Sequence, residues 1–385
     1  MIPTEADHSD PTSPLKIAMV VPPWYELPPC GYGGIELICA ALVDALCARG
    51  HDVTMFGAGV RTGTAAHFVS TVSTPQYERL GEAMPDALHA ARVGRLLADT
   101  QFDVVHDHSL SGPLTAGYRS APTVVTVHGP ADGELGDYYA ALGEHIHLVA
   151  ISDSQRRQRP ELRWAATIHN AIEPTQFVPA HNPDGPVVWL ARFSPDKGPD
   201  LAIKACREAG LPLVLAGKCN ENSERRYLDE VIRPMLEDDV ELVCNGDRTT
   251  TNRLLTEARC LIMPIRWHEP FGMVMIEAMA SGTPVVALRR GSVPEVVRHG
   301  VTGWICEDPA DLPAALLRAG ELDPRECVAH ARSTFGVQRM ARRYERVYRQ
   351  AITNARRPRR GARRQTALVP TRVLSTIGER RGAAS

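Results

Sequence analysis

Apolar residues in this chain gather in short blocks, and the blocks alternate with longer amphipathic stretches. Residues 16–21, 53–56, 104–106, 123–127, 147–151 and 166–169 read as strands. They do not alternate apolar with polar positions, the pattern of strands covered on both faces. Between them, 33–49 carries Ile35, Ile38, Leu42, Val43 and Leu46 at helical spacing, and 88–99 repeats the pattern. Gly50 stops the first of these helices. The stretch 173–186 then interrupts the rhythm with Pro174, Pro179, Pro183, Gly185 and Pro186, as a linker does. A second series follows. Strands are expected at 187–191, 213–216, 240–243, 260–264 and 284–288, and helices at 199–209, 223–236, 250–258 and 272–280. Alternation of this kind predicts parallel α/β sheets, and the linker predicts two of them.

Length agrees, since 385 residues suit two domains of ordinary size. The net charge of −2 hides an asymmetry: residues 353–385 carry +8 and the remainder −10. An acidic body is not a nucleic-acid binder. The basic end has no aromatic residue for base stacking and no apolar periodicity. It reads as a solvated disordered tail, with peripheral contact to an anionic membrane surface as the alternative. No stretch reaches the ~20 apolar residues of a membrane span, and the first apolar run is too short for a signal-peptide core. The expected location is cytoplasmic, with peripheral contact at the inner face of the membrane. Nine scattered cysteines without a C-x-x-C pair read as reduced thiols.

Candidate chemistry is densest at 263–286, MPIRWHEPFGMVMIEAMASGTPVV. Glu269 and Glu277 are separated by seven residues. Pro270-Phe271-Gly272 turns between them, and an apolar helix runs from there to Ser281-Gly282. The loop thus opens on a helix N-terminus, where free N–H groups and the helix dipole favour an anion. Glu277 lies about one turn inside. Two carboxylates beside an anion-binding helix end suit a sugar nucleotide. Gly31-Tyr32-Gly33-Gly34 follows the first strand and precedes a helix, a second place where backbone can approach phosphate. Arg192 and Lys197 flank Ser194-Pro195-Asp196 just after a strand, so a guanidinium and an ammonium share one loop. His128 ends a very apolar strand and precedes Gly129, a ligand-facing position in such folds. His106-Asp107-His108 ends the strand before it. Adjacent residues seldom aim at one centre, so no metal site is assigned.

These segments, in this order, resemble the motifs of retaining GT-B glycosyltransferases of family 4 over residues 16–350, with wording nearest an AviGT4-like branch. The resemblance implies two Rossmann-like domains facing a cleft and a C-terminal helix crossing back to the first. The expected boundaries are 1–15 (disordered), 16–178 (acceptor side), 179–336 (donor side), 337–352 (crossover helix) and 353–385 (tail). It implies transfer of a sugar, as by a hexosyltransferase, from a UDP- or GDP-linked donor to an acceptor hydroxyl on a glycan, lipid or small molecule, with no cofactor. A GT-B sugar phosphorylase and a non-catalytic sugar-nucleotide binding protein are the rival readings. Arg192 and Lys197 would neutralise the leaving diphosphate, Glu277 would hold the ribose, and Glu269 and His128 would lie by the donor sugar. Gly33, Gly34, Phe271, Gly272, Met273 and Val274 would complete the donor site. Trp24, Tyr32 and His108 would face the acceptor. Trp267-His268 departs from the commoner short polar wording before the first glutamate, so sugar specificity is not carried over.

Overall fold

The computed structural model describes residues 13–29, 33–60, 62–180 and 182–356. The expectations for 1–12 and for 357–385 lie outside them, as does Tyr32. Two parallel sheets form the frame. The first contains β1 (Lys16–Val20), β2 (Asp52–Ala58), β3 (His67–Val72), β4 (Val104–Asp107), β5 (Thr123–Val127), β6 (Ile146–Ala150) and β7 (Trp164–Thr167), in the order β3-β2-β1-β4-β5-β6-β7. The second contains β8 (Val187–Leu190), β9 (Leu213–Gly217), β10 (Val240–Cys244), β11 (Cys260–Met263), β12 (Val285–Leu288) and β13 (Gly303–Cys306), in the order β10-β9-β8-β11-β12-β13. Each order reverses once, between β1 and β4 and between β8 and β11. Crevices at such reversals, beyond the strand C-termini, are where open α/β sheets bind ligands. The loops leaving β1, β8 and β11 carry Gly33-Gly34, Arg192 with Lys197, and Glu269. The topology therefore delivers the predicted chemistry to the sheets' two switch points.

Double-sided burial explains the strand sequences. All five residues of β5, Thr-Val-Val-Thr-Val, are buried. The structure also departs from the sequence reading in several places. β3 is not expected from the sequence, because His67-Phe68-Val69-Ser70 at the sheet edge, with exposed His67 and Ser70 flanking half-buried Phe68 and Val69, lacks a continuous apolar run. The last strand of the first sheet begins at Trp164 rather than 166. The helix expected at 223–236 divides into an α-turn Asn222–Tyr227, a π-helical stretch Leu228–Ile232 and a 3-10 turn Arg233–Met235 holding Pro234, whose ring and missing N–H disrupt a regular helix. β13 follows the last strand predicted, after a turn containing Gly300 and Thr302.

Helix α1 (Gly34–Ala48) packs on the first sheet, α2 (Met273–Ala280) on the second, and α3 (Val337–Arg356) returns from the second domain to the first. α3 runs four residues beyond the expected end at 352, its last turn held by Thr353 Oγ1 donating to the Arg349 carbonyl at 2.8 Å. Its buried stripe, Met340, Ala341, Tyr344, Val347, Tyr348 and Ala351, packs with Ile38 and Leu42 of α1. Arg49 forks onto Glu345 at 2.5 and 2.7 Å, and His51 Nε2 lies 2.7 Å from the same carboxylate. The chain enters α3 through backbone bonds in which Ile172 N donates to Phe335 O and Val337 N to Ile172 O, at 2.9 and 3.0 Å. A second link crosses between domains. Glu295 accepts the N–H groups of Asp153 and Ser154 at 2.7 and 2.5 Å, capping a first-domain helix from the second domain.

Beneath α3 lies a buried polar chain. His106 Nδ1 is 2.7 Å from the Tyr348 hydroxyl and its Nε2 is 2.8 Å from Thr126 Oγ1, which in turn meets the Tyr344 hydroxyl at 2.8 Å. Burial holds the His106 imidazole neutral, its pKa well below the usual value. Two predictions follow from these groups. Tyr348→Phe leaves a buried ring nitrogen unpaired, so unfolding in urea should show a loss of ~1–3 kcal/mol; an unchanged midpoint would contradict the network. His89, buried against Thr71, and His128 have pKa values lowered from 6.5 to about 4. The unfolded chain binds these protons first, so the stability they confer is present above pH 6.5 and is lost as pH falls towards about 4. Replacing His89 by Gln should lessen the fall of the urea midpoint over this window, and an unchanged fall would contradict its share.

Candidate functional site

A cavity of about 580 Å³ lies between the two sheets' switch points. Its walls come from both domains. Gly33, Gly34 and Leu37 supply one side, and Gly272, Met273, Val274 and Glu277 face them. Neither α1 nor α2 has a side-chain cap at its start. Two helix N-termini therefore open on one space, with free N–H groups and both dipoles' positive ends available to an anion.

Lys197 reaches the cavity because of a tight local turn. Pro195–Lys197 is a single 3-10 turn ended by Gly198 at φ 67°. A Cβ on Gly198 would sit 2.2 Å from the Pro264 carbonyl oxygen, so only glycine lets this turn close on the strand after it. Trp189 Nε1 donates to the Lys197 carbonyl at 3.0 Å, and the Arg266 guanidinium forks onto Asp200 at 2.7 and 2.6 Å. The turn and the glutamate loop are thereby stapled together. Lys197 Nζ donates to Glu269 Oε2 at 2.5 Å and lies 4.4 Å from the centre of the Trp267 ring. Trp267 Nε1 donates to the same oxygen at 3.0 Å. Glu269 Oε1 has no partner among the described residues.

Arg192 lines the cavity half-buried, and among the described residues it makes no hydrogen bond or ion pair. A guanidinium kept from most water without a carboxylate has electrostatic capacity in reserve. The Glu277 carboxylate likewise accepts no hydrogen bond among the described residues; Arg248 is its ion-pair partner, at 3.8 Å. Burial raises the Glu277 pKa and Arg248 opposes the rise. The cations Lys218 and Arg248 and the amides Asn220 and Asn245 also line the cavity and escaped the sequence reading. Lys218 follows β9, paired with Glu221 at 2.9 Å, and Arg248 opens the helix Arg248–Glu257. Asn245, at φ 54°, turns the chain after β10 and accepts the Cys219 N–H at 2.9 Å. Lys218 ends a short apolar block, as Arg192 nearly does, and that position was its available signal.

Of the residues expected in the site, Gly33, Gly34, Arg192, Lys197, Glu269, Gly272, Met273, Val274 and Glu277 line this cavity. Phe271 does not: it is buried in the core, with the His169 and Phe335 rings 5.8 and 5.9 Å away. Its apolar ring is better placed among them than against a charged ligand. Trp24 is half-buried in the loop after β1 and is not part of the wall. His108 is buried, and its Nδ1 lies 2.8 Å from His128 Nε2 in a stacked pair outside the wall. Burial lowers the pKa of both imidazoles. The triplet His106, Asp107 and His108 diverges. His106 faces Tyr348, Asp107 pairs with Arg119 at 3.0 Å, and His108 meets His128.

Comparison with known proteins divides the chain as the two sheets do. Residues 32–178 match the model of Glycosyltransferase Family 4, and residues 173–330 that of Glycosyl transferases group 1. An uncharacterized glycosyltransferase of Methanocaldococcus jannaschii is 25% identical over 76% of this chain and 85% of its own length. The crystal structure of AviGT4, a glycosyltransferase involved in avilamycin A biosynthesis, superposes with a TM-score of 0.69 at 24% identity, covering 88% of this chain and 98% of that one. Anabaena HepE, solved in complex with UDP-glucose, superposes with a TM-score of 0.65 at 18% identity, over 88% of this chain and all of its own.

The Arg248–Glu277 pair yields a prediction independent of any ligand. Arg248→Ala removes the charge that opposes burial, so the Glu277 carboxyl should titrate at a higher pH than in wild type. Carbon NMR of labelled glutamate would show the midpoint move up; an unmoved midpoint would dissociate the two groups.

Proposed function

We propose that this chain, a glycosyltransferase of the GT-B type, transfers a hexosyl group from a UDP- or GDP-linked donor to an acceptor hydroxyl, with retention at the anomeric carbon. The observation that carries the reading is the cavity itself. Arg192, unpaired among the described residues, a carboxylate-bound Lys197 and two uncapped helix starts converge on one space. A nucleoside diphosphate presents the charge they require, and its ribose presents hydroxyls to the unbonded carboxylate of Glu277.

The chemistry then has a simple balance. The bond from the anomeric carbon to the diphosphate oxygen breaks, and its electron pair leaves on the diphosphate. The acceptor oxygen attacks the same face, and its proton passes to the departing phosphate. Negative charge grows where Arg192, Lys197 and the N–H groups of α2 are already aimed, so these groups stabilise the transition state more than the ground state. Glu269 is not assigned as a nucleophile. Lys197 and Trp267 both hold its Oε2, leaving Oε1 to accept a donor-sugar hydroxyl. His128 does not line the cavity and is hydrogen-bonded to His108, so a role beside the sugar requires the ligand to extend beyond the wall residues. Residues 353–385, with their +8 charge, are read as a contact for an anionic membrane surface and not as part of the chemistry. Among the described residues no helix is long and apolar enough to cross a membrane.

Melting-temperature screening over nucleotide sugars identifies the donor, because a ligand of the folded state raises its stability. With that donor, Arg192→Ala should lower kcat by about 100-fold or more, the scale of losing one group that stabilises developing charge. Turnover at the wild-type rate would remove Arg192 from the mechanism. Glu277→Gln keeps shape but loses the charged acceptor, so calorimetry should show the free nucleoside diphosphate weakened by ~1.5–3 kcal/mol. Unchanged affinity would mean that Glu277 does not hold the ribose.

A further inference from the structure

A second cavity, of about 460 Å³, lies away from the donor cleft, along the β7 edge of the first sheet beneath α3. Its floor is apolar, made by Ile146, Ala166, Ile168 and Val347, and its charged rim is dominated by arginine. Arg343, Arg346, Gln350 and Asn354 project into it from α3 at spacings of three and four residues, so one helical stripe lines the space. Arg339 extends the stripe by one turn. α3 carries six arginines and one acid, Glu345, in a body that is otherwise acidic. That acid is already engaged by Arg49 and His51. Arg163 is matched by Glu144 at 2.5 Å on the rim. Arg346 makes no hydrogen bond or ion pair among the described residues. Arg343 is half-buried and donates to the Thr167 carbonyl at 2.5 Å. Its pKa is lowered, first by burial and then by the like charges of Arg339 and Arg346.

Like charges at helical neighbours destabilise a helix, and Arg346 has no packing role that offsets this, being exposed and without an ion pair among the described residues. A polar stripe over an apolar floor, with more positive than negative charge, is what a phosphate attached to a less polar body would fill. We propose that the cavity under α3 is a second anion site, which binds the phosphate group of a phosphomonoester through Arg343 and Arg346. The phosphomonoester has two sources, a soluble metabolite or a lipid headgroup. Neither depends on the identity of the donor sugar, so the inference stands apart from the transferase reading.

The test compares wild type with Arg346→Glu, a substitution at an exposed residue, and with the milder Arg346→Ala. Arg192 and Lys197 are intact in all three, so phosphate taken up by the donor cleft drops out of the comparison. One arm measures the melting-temperature rise caused by glycerol 3-phosphate. The other measures sedimentation with phosphatidylcholine vesicles doped with phosphatidic acid. A rise in wild type that disappears in Arg346→Glu assigns a soluble phosphomonoester. No rise, but vesicle binding that falls about tenfold or more in Arg346→Glu and less in Arg346→Ala, assigns the headgroup. Equal behaviour of all three proteins in both arms, or no binding in either, overturns the site. Circular dichroism of the variants identifies any that fails to fold; Arg346→Ala then carries the comparison.

Discussion

The structure is organised around charge that it leaves uncompensated. Among the described residues Arg192 stands half-buried without a partner, and the starts of α1 and α2 face one another with no side chain closing either. Each costs stability in the empty protein, because buried or half-buried donors lose water without gaining acceptors. Neither domain holds all of these groups. The first supplies one helix end and the second supplies the other with the two cations, so the arrangement exists only while the sheets face each other. The interdomain contacts follow from that need. Glu295 caps a helix of the opposite domain, and α3 returns across the linker to seat Tyr344 and Tyr348 above His106. These contacts hold the relative position on which the cavity depends.

Pairing and non-pairing within the cleft divide the labour. Lys197 is locked by Glu269 and Trp267, which fixes an ammonium at a set place with little freedom to lose on binding. Arg192 is unlocked, and its charge remains available in full. Glu277 is in an intermediate state, with burial disfavouring its charge and Arg248 restoring part of it. A ligand donating hydroxyl hydrogen bonds to Glu277 would complete what Arg248 begins. Such groups are poised for a partner that carries both a dense negative charge and neutral donors, the two ends of a nucleoside diphosphate.

Much of this was legible in the sequence, and for a physical reason. Parallel strands covered on both faces read as short apolar blocks, and ligand loops follow the blocks directly, so Arg192, Lys197, Glu269 and Gly33-Gly34 could be placed by position. Residues that depend on a neighbouring strand could not. Arg248 faces Glu277 only because the helix it opens, Arg248–Glu257, packs against α2, and Lys218 enters the wall only because β9 neighbours β8. Phe271 shows the converse. It sits inside the best motif of the chain, yet its ring turns to the core while its neighbours turn to the cavity. A one-dimensional pattern assigns a loop to a site but not each side chain of the loop. The buried carboxylate Glu36 is a similar case: burial raises its pKa to about 7 inside an apolar helix face, where sequence alone shows only a Glu after two glycines.

The central claim is that a diphosphate binds between the two helix starts, against Arg192. A crystal structure with the nucleoside diphosphate that most raises the melting temperature tests it most directly. The account predicts phosphate oxygens within hydrogen-bonding distance of the Arg192 guanidinium and of the Met273 or Val274 N–H, with the ribose against Glu277. A nucleotide bound elsewhere, or in the cavity with its phosphates turned away from Arg192 and α2, would contradict it.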